Sequence, residues 1–403
     1  MPDIKRDMEI KCRDLAKHFP VITVTGPRQS GKTTLLRAVF PNHAYVLLEE
    51  THQKDFAQSD PVGFLDQFGV NADIFIDEAQ LVPKLFSYIQ GRVDRNQKAG
   101  QYILSGSQHF LLNEAVSQSL AGRAAILQLL PFSLSELAER EGLPIDELGL
   151  KKPPLGIRDS SGSLMESMFQ GFYPRPRAQG VPVVDWMPAY YRTYLERDVR
   201  SLANIGDLDS FSRFVRLLAG RCGQLLDLSS LGNDAGISHT TASRWISILE
   251  ASFLIFRLRP YFRNFSKRLI KSPKVYFIDT GLLCYLLGIR NAEELLLHPL
   301  RGQIFECFII SQLYKERLNR GLDPDFYFWR DAQGLEIDVV WDRGPQLYGL
   351  ELKSATTFVP DFTQSLLKWS QLQNETGLAL SVIYGGDDSL SYKDMPVYSW
   401  RSL

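Results

Sequence analysis

The sequence predicts an α/β chain: a parallel sheet with helices on both faces, then a helical unit closed by a strand pair, then a second, smaller α/β unit. Three observations lead there. Short β-branched runs alternate with helix-forming stretches through the first third, the pattern of a buried parallel sheet. A break rich in Pro, Gly and Ser follows at Lys151-Lys152-Pro153-Pro154-Leu155-Gly156 and Asp159-Ser160-Ser161-Gly162-Ser163. With 403 residues the chain is also long enough for two or three separate cores. The expected division is 1–155 for the first α/β unit, 156–205 for a helical linker, 206–290 for the helical unit and 291–403 for the last.

The first strand is Val21-Ile22-Thr23-Val24-Thr25, and a helix-forming run from Thr33 follows it. Between them stands Gly26-Pro27-Arg28-Gln29-Ser30-Gly31-Lys32-Thr33-Thr34, a Walker A (P-loop) pattern in the strand-loop-helix context that it requires. Glycines at 26 and 31 let backbone N–H groups curl around phosphates at the positive end of the helix. Lys32 is then expected to reach the β- and γ-phosphates of ATP, with the Thr33 hydroxyl on Mg²⁺.

Further strands are expected at 45–48, 73–76 and 102–104. The second of these runs into Asp77-Glu78-Ala79-Gln80, so that an apolar strand carries two acids to the sheet edge. There Asp77 can hold the Mg²⁺ shell while Glu78 orients and deprotonates water, which makes hydrolysis the inference. The strand Tyr102-Ile103-Leu104 ends in Ser105-Gly106-Ser107, and either serine can serve as a γ-phosphate sensor. A plain strand-to-loop turn explains each of them equally well.

Gly-Pro-Arg-Gln-Ser-Gly-Lys-Thr-Thr, Phe-Ile-Asp-Glu-Ala-Gln, Ile-Leu-Ser-Gly-Ser-Gln, Leu-Ala-Gly-Arg and Leu-Leu-Pro-Phe-Ser follow in an order that resembles a large bacterial and archaeal family of AAA-like ATPases related to the archaeal and STAND types. Gln170-Gly171-Phe172-Tyr173-Pro174 and Phe277-Ile278-Asp279-Thr280-Gly281-Leu282 are similar to that family too, so the likeness spans nearly the whole chain. It implies an ATPase core joined to a C-terminal nuclease-like domain of unassigned function. It also implies a ring-like homo-oligomer, a hexamer being favoured, in which Arg123 is an arginine finger on the neighbouring subunit's nucleotide. A surface arginine is the plainer alternative.

In the middle unit, Leu226–Leu231 and Gly236–Ile246 read as two helices across a short turn, a helix-turn-helix. Ala242, Trp245, Ile246 and Leu249 form the inward face. His239, Thr240, Thr241, Ser243 and Arg244 point outward and are of types that meet phosphates and base edges. Strands expected at 253–260 and 261–271, with a basic turn, complete a wing. Arg257, Arg259, Arg263, Lys267, Arg268, Lys271 and Lys274 follow one another there without a carboxylate, which points to DNA. The alternative is a helical adaptor whose basic groups pair with acids elsewhere.

In the last unit Glu306 lies on an expected helix, Asp338 on a strand, and Glu351 and Lys353 alternate on one face of the next strand. The ordered set resembles the PD-(D/E)xK nuclease core. Asp338 and Glu351 can hold Mg²⁺, Lys353 can lower the pKa of an attacking water, and Glu306 can support a metal. Retained binding without cutting remains the alternative.

A net charge of −1 excludes a uniformly basic surface, so nucleic acid must be met by a local patch. The scattered Cys12, Cys222, Cys284 and Cys307 lack paired metal-ligand spacing, and no run approaches the roughly 20 apolar residues that span a bilayer. A reduced, cytoplasmic setting is expected, with no membrane partner. The combined expectation is an ATP-hydrolysing, DNA-binding protein, branched DNA being one candidate form. Its rival is a nucleotide-dependent switch acting on a protein partner.

Overall fold

The computed structural model describes residues 4–107, 119–153, 162–194, 207–261, 271–373 and 377–403. Its first sheet has five parallel strands in the order β2-β3-β4-β1-β5: β1 Val21–Thr25, β2 Ala44–Leu47, β3 Ile74–Asp77, β4 Tyr102–Gly106 and β5 Ala124–Gln128. All five residues of β1 are buried, Thr23 and Thr25 included, because helices cover both faces. One apolar cluster lies on each face. The position of β4 between β1 and β3 matters most for function. It brings the carboxyl ends of three strands, and the loops that leave them, to one edge.

Strand β5 was not expected. Two alanines make Ala124-Ala125-Ile126-Leu127-Gln128 a poor strand former. It is ordered by pairing in register with the free edge of β1, from Val21↔Ala124 to Thr25↔Gln128.

In the middle unit, helix Leu228–Ala235 ends at Gly236, whose left-handed φ of 75° turns the chain into Ser238, the N-cap of helix His239–Ala251. Ala242, Trp245, Ile246 and Leu249 are buried. The strand pair is β6 Ile255–Leu258 and β7 Lys274–Phe277, antiparallel. The second strand therefore lies beyond the expected 261–271, where the apolar run Val275-Tyr276-Phe277 is buried. Arg263, Lys267 and Arg268 lie outside the described residues.

The last unit holds a six-stranded sheet in the order β12-β13-β11-β10-β9-β8. Its strands are β8 Tyr327–Arg330, β9 Glu336–Arg343, β10 Gln346–Lys353, β11 Leu378–Tyr384, β12 Leu390–Tyr392 and β13 Met395–Ser399. The first three match expectation, whereas the last three and helix Gln364–Leu372 were not foreseen. The exposed edge of β8 is covered by the chain leaving β6: Phe328 N donates to Arg259 O at 3.0 Å and Tyr261 N to Phe328 O at 2.7 Å.

Among the described residues one apolar cluster includes side chains from Leu130 to Leu403, so the middle and last units share a core. The segment 130–150, grouped by sequence with the first unit, packs there, and Leu143 N donates to Ser402 O at 2.9 Å. The 19-residue helix Arg301–Asn319 runs through this core and touches all three units.

Candidate functional site: the P-loop and its acids

The loop after β1 is shaped by its glycines. Gly26 has φ +153°, and a Cβ there would meet Leu129 O at 2.0 Å, so the residue that follows β5 leaves room for glycine only. Gly31, at φ +95°, is the N-cap of helix Lys32–Val39. Lys32 is buried, and its Nζ donates to the carbonyls of Gly26 at 3.0 Å and Pro27 at 2.9 Å. Burial pushes its ammonium down to about 8, against the pull of Glu78 and Asp77.

Thr33 Oγ1 donates to Asp77 Oδ2 at 2.6 Å, and Tyr45 OH reaches the same oxygen at 3.2 Å. The other oxygen of Asp77 accepts from Ser105 Oγ and, at 3.1 Å, from Glu78 N. Glu78 has φ 55°, a left-handed conformation unusual for a non-glycine, which turns its side chain away from the strand direction. Its Oε2 accepts from Gln80 Nε2 and from Ser107 Oγ at 3.0 Å. The two candidate sensors therefore hold one acid each: Ser105 takes Asp77 and Ser107 takes Glu78.

Around the loop, Arg28 pairs with Glu49 at 3.4 Å, Gln29 accepts from Trp186 Nε1 at 3.3 Å, and Thr34 is exposed. Arg123 lies at the surface with its guanidinium on both carboxylate oxygens of Asp94, which holds the Asp94 carboxyl below its usual range.

Sequence reasoning missed Arg6. It is 6% exposed, and it donates to Ser30 O and Leu130 O, each at 2.8 Å, and to Glu136 Oε1 at 2.9 Å. Glu136 also closes a capping box with Ser133. Asn319 and Lys315 of the long helix bind Glu136 and Phe132 O at 3.3 and 3.1 Å. The P-loop is thus pinned from behind to the shared core.

The residues present fit a magnesium nucleotide. A hydroxyl and a carboxylate converge at 2.6 Å, an ammonium rests on two carbonyls, and the buried Ser30 Oγ has no hydrogen-bond partner.

The structure also gathers the acids of the last unit. Carboxylate oxygens of Glu306, Glu336 and Asp338 lie within 4.8 Å of one another. Asp338 Oδ2 accepts from Leu352 N at 2.8 Å, and Lys353 Nζ donates to Glu351 Oε2 at 3.0 Å. Burial, with Asp338 beside it, pushes the Glu351 carboxyl well above its ordinary value. Glu336 is an addition to the expected set. So is Lys274, which was expected in an exposed basic patch. It is 3% exposed and donates to Glu306 Oε1 at 2.9 Å and to Glu336. Arg257 of the same expected patch is paired with Glu250. A stretch free of carboxylates in sequence is not one in space.

On helix His239–Ala251, His239, Thr240 and Arg244 are exposed and Thr241 and Ser243 half-buried. The four cysteines are free and buried. Among the described residues no helix is long and apolar enough to cross a membrane.

Strand order, loop and acids define an AAA-like P-loop ATPase unit, and residues 18–138 match the family model described as an AAA domain. Residues 161–293 and 301–403 match two domains of unknown function, DUF8612 and DUF4143. The chain belongs to the same family as an uncharacterized protein of Mycobacterium tuberculosis, to which it is 31% identical over 396 residues, 98% of this chain and 82% of that protein. An uncharacterized protein of Haemophilus influenzae is 21% identical over 230 residues, 54% of this chain and 53% of that one. A solved Walker-type ATPase of Pyrococcus abyssi matches 70% of this chain and 94% of its own at 15% identity and a TM-score of 0.43.

Proposed function

We propose that the chain hydrolyses ATP with Mg²⁺ at the P-loop and uses the turnover to act on DNA held by its middle unit. The observation that carries the ATPase part is the 2.6 Å contact between Thr33 Oγ1 and Asp77 Oδ2, with Glu78 one residue further on and turned by its left-handed backbone. Magnesium would supply charge neutralisation of the phosphates. Lys32 would exchange the Gly26 and Pro27 carbonyls for the β- and γ-phosphates, and Thr33 and Asp77 would hold the Mg²⁺. Glu78, freed from Gln80, takes the proton of the attacking water. Arg123 acts across a ring of like subunits once it leaves Asp94.

The DNA part is supported by the exposed His239, Thr240 and Arg244 at the start of a helix that follows a tight turn, the placement of a recognition helix. The last unit is read as a nuclease-like domain built on Glu306, Asp338, Glu351 and Lys353. One observation favours the rival reading of a protein-directed switch with an inactive nuclease-like domain: Lys274 neutralises the acids on which cleavage would depend.

ATP turnover measured with duplex, single-stranded and four-way-junction DNA across a salt series tests the proposal. Stimulation by one form, with binding that weakens steeply as salt rises, supports it. Turnover indifferent to every DNA transfers the reading to the protein-directed switch.

A further inference from the structure

The acidic centre of the last unit contains a cation contributed by the middle unit. Lys274 opens β7, and its backbone is held on both sides, by Leu258 in β6 and by an isolated bridge to Leu225. Leu226 N donates to Pro273 O at 2.8 Å and Gly223 N to Val275 O at 2.8 Å, so the strand has little freedom to slide. From this anchored position the side chain enters the centre. Its Nζ binds Glu306 Oε1 at 2.9 Å and Glu336 Oε1. Tyr276, two residues on and on the same face of β7, donates its hydroxyl to the same Glu306 oxygen at 2.5 Å.

A divalent ion held by these carboxylates needs oxygens at about 2.0–2.6 Å. An ammonium at hydrogen-bond distance from Glu306 and Glu336 takes up that space and that charge. Lysine and metal compete for the same carboxylate oxygens.

We propose that Lys274 is a tethered cation that closes the Glu306–Glu336–Asp338 centre to divalent metal while β7 is seated. The contact is autoinhibitory: the middle unit, which presents the DNA-facing helix, also determines whether the nuclease-like unit can take a metal. The inference rests on reading that centre as a metal site. With the β7 backbone anchored, departure of the Lys274 side chain from the two carboxylates, and not a change within the last unit, is then what opens it.

The test uses the full chain without nucleotide and titrates Mn²⁺ by calorimetry, with thermal unfolding followed in parallel. Wild type is expected to show no uptake that Asp338→Asn removes. Lys274→Met is expected to gain one saturable Mn²⁺ site, at least tenfold tighter than any in wild type, which the added Asp338→Asn abolishes. Lys274→Gln, which keeps a hydrogen-bond donor for Glu306, serves the same purpose if the methionine variant does not fold. Wild-type uptake that is sensitive to Asp338→Asn with Lys274 in place overturns the proposal, and so does a folded Lys274 variant that gains no site. Plasmid cleavage by the opened variant is scored separately. Metal gained without cleavage upholds the lock and removes the nuclease reading.

Discussion

Arg6 Nη1 donates to the carbonyl of Ser30 at 2.8 Å, so a residue ahead of the first helix fixes the back of the P-loop. The same guanidinium binds the buried carboxylate of Glu136. Arg6→Ala removes the paired cation from that carboxylate, which keeps the N–H groups of Asp7 and Ser133 and the Asn319 amide, and leaves two carbonyls without their donor. Breaking a buried pair on one side costs roughly 3–5 kcal/mol, and urea unfolding should show a loss of that order. Nucleotide affinity should fall with it, and Arg6→Lys should recover only part, since an ammonium cannot span three acceptors in one plane. Equal stability of Arg6→Ala and wild type would remove the pin.

Gly26→Ala puts a Cβ at 2.0 Å from Leu129 O in a backbone conformation of φ +153°. Either the loop or β5 must move. Nucleotide binding, measured with a fluorescent ATP analogue, should weaken by at least tenfold while the rest of the protein remains folded, because the large core that runs through the middle and last units does not include Gly26.

Lys32 gives the nucleotide-free protein a pH signature. Its folded value is about 8 against an ordinary 10.5, so between those values the unfolded chain binds the extra proton. Stability therefore rises with pH across that window, and below about pH 8 the full penalty of roughly 3 kcal/mol is present. Lys32→Met should be more stable than wild type at pH 7, and the gap should shrink as pH climbs toward 10. A gap that is constant with pH contradicts the buried charge.

The parts of this site that can be read from sequence are those whose partners are close in the chain or fixed by a motif. Gly26, Lys32 and Thr33 are set by one loop, and Asp77 and Glu78 by the strand that carries them. Glu351 and Lys353 follow from the two-residue period of a strand, and the same period could have flagged Glu336 beside Asp338. Arg6 had no such signal. It lies 24 residues from Ser30 and 130 from Glu136, and only the packing of segment 130–150 against the shared core brings them together. Lys274 misled for a related reason: its neighbours in sequence are basic, while its neighbours in space are acids from two other elements. Strand β5 was missed because its order comes from an edge already formed rather than from its own composition, whereas β11, with Val382, Ile383 and Tyr384, carried a strand signal that was not read.

The measurement that bears most directly on the central claim is single-turnover ATP hydrolysis with Mg²⁺ by wild type, Lys32→Ala and Glu78→Gln. Wild type should hydrolyse, Lys32→Ala should fail to bind, and Glu78→Gln should bind normally while turning over at least 100-fold more slowly, the range lost with a general base. Hydrolysis by Glu78→Gln at the wild-type rate, or undiminished turnover in Lys32→Ala, would contradict it.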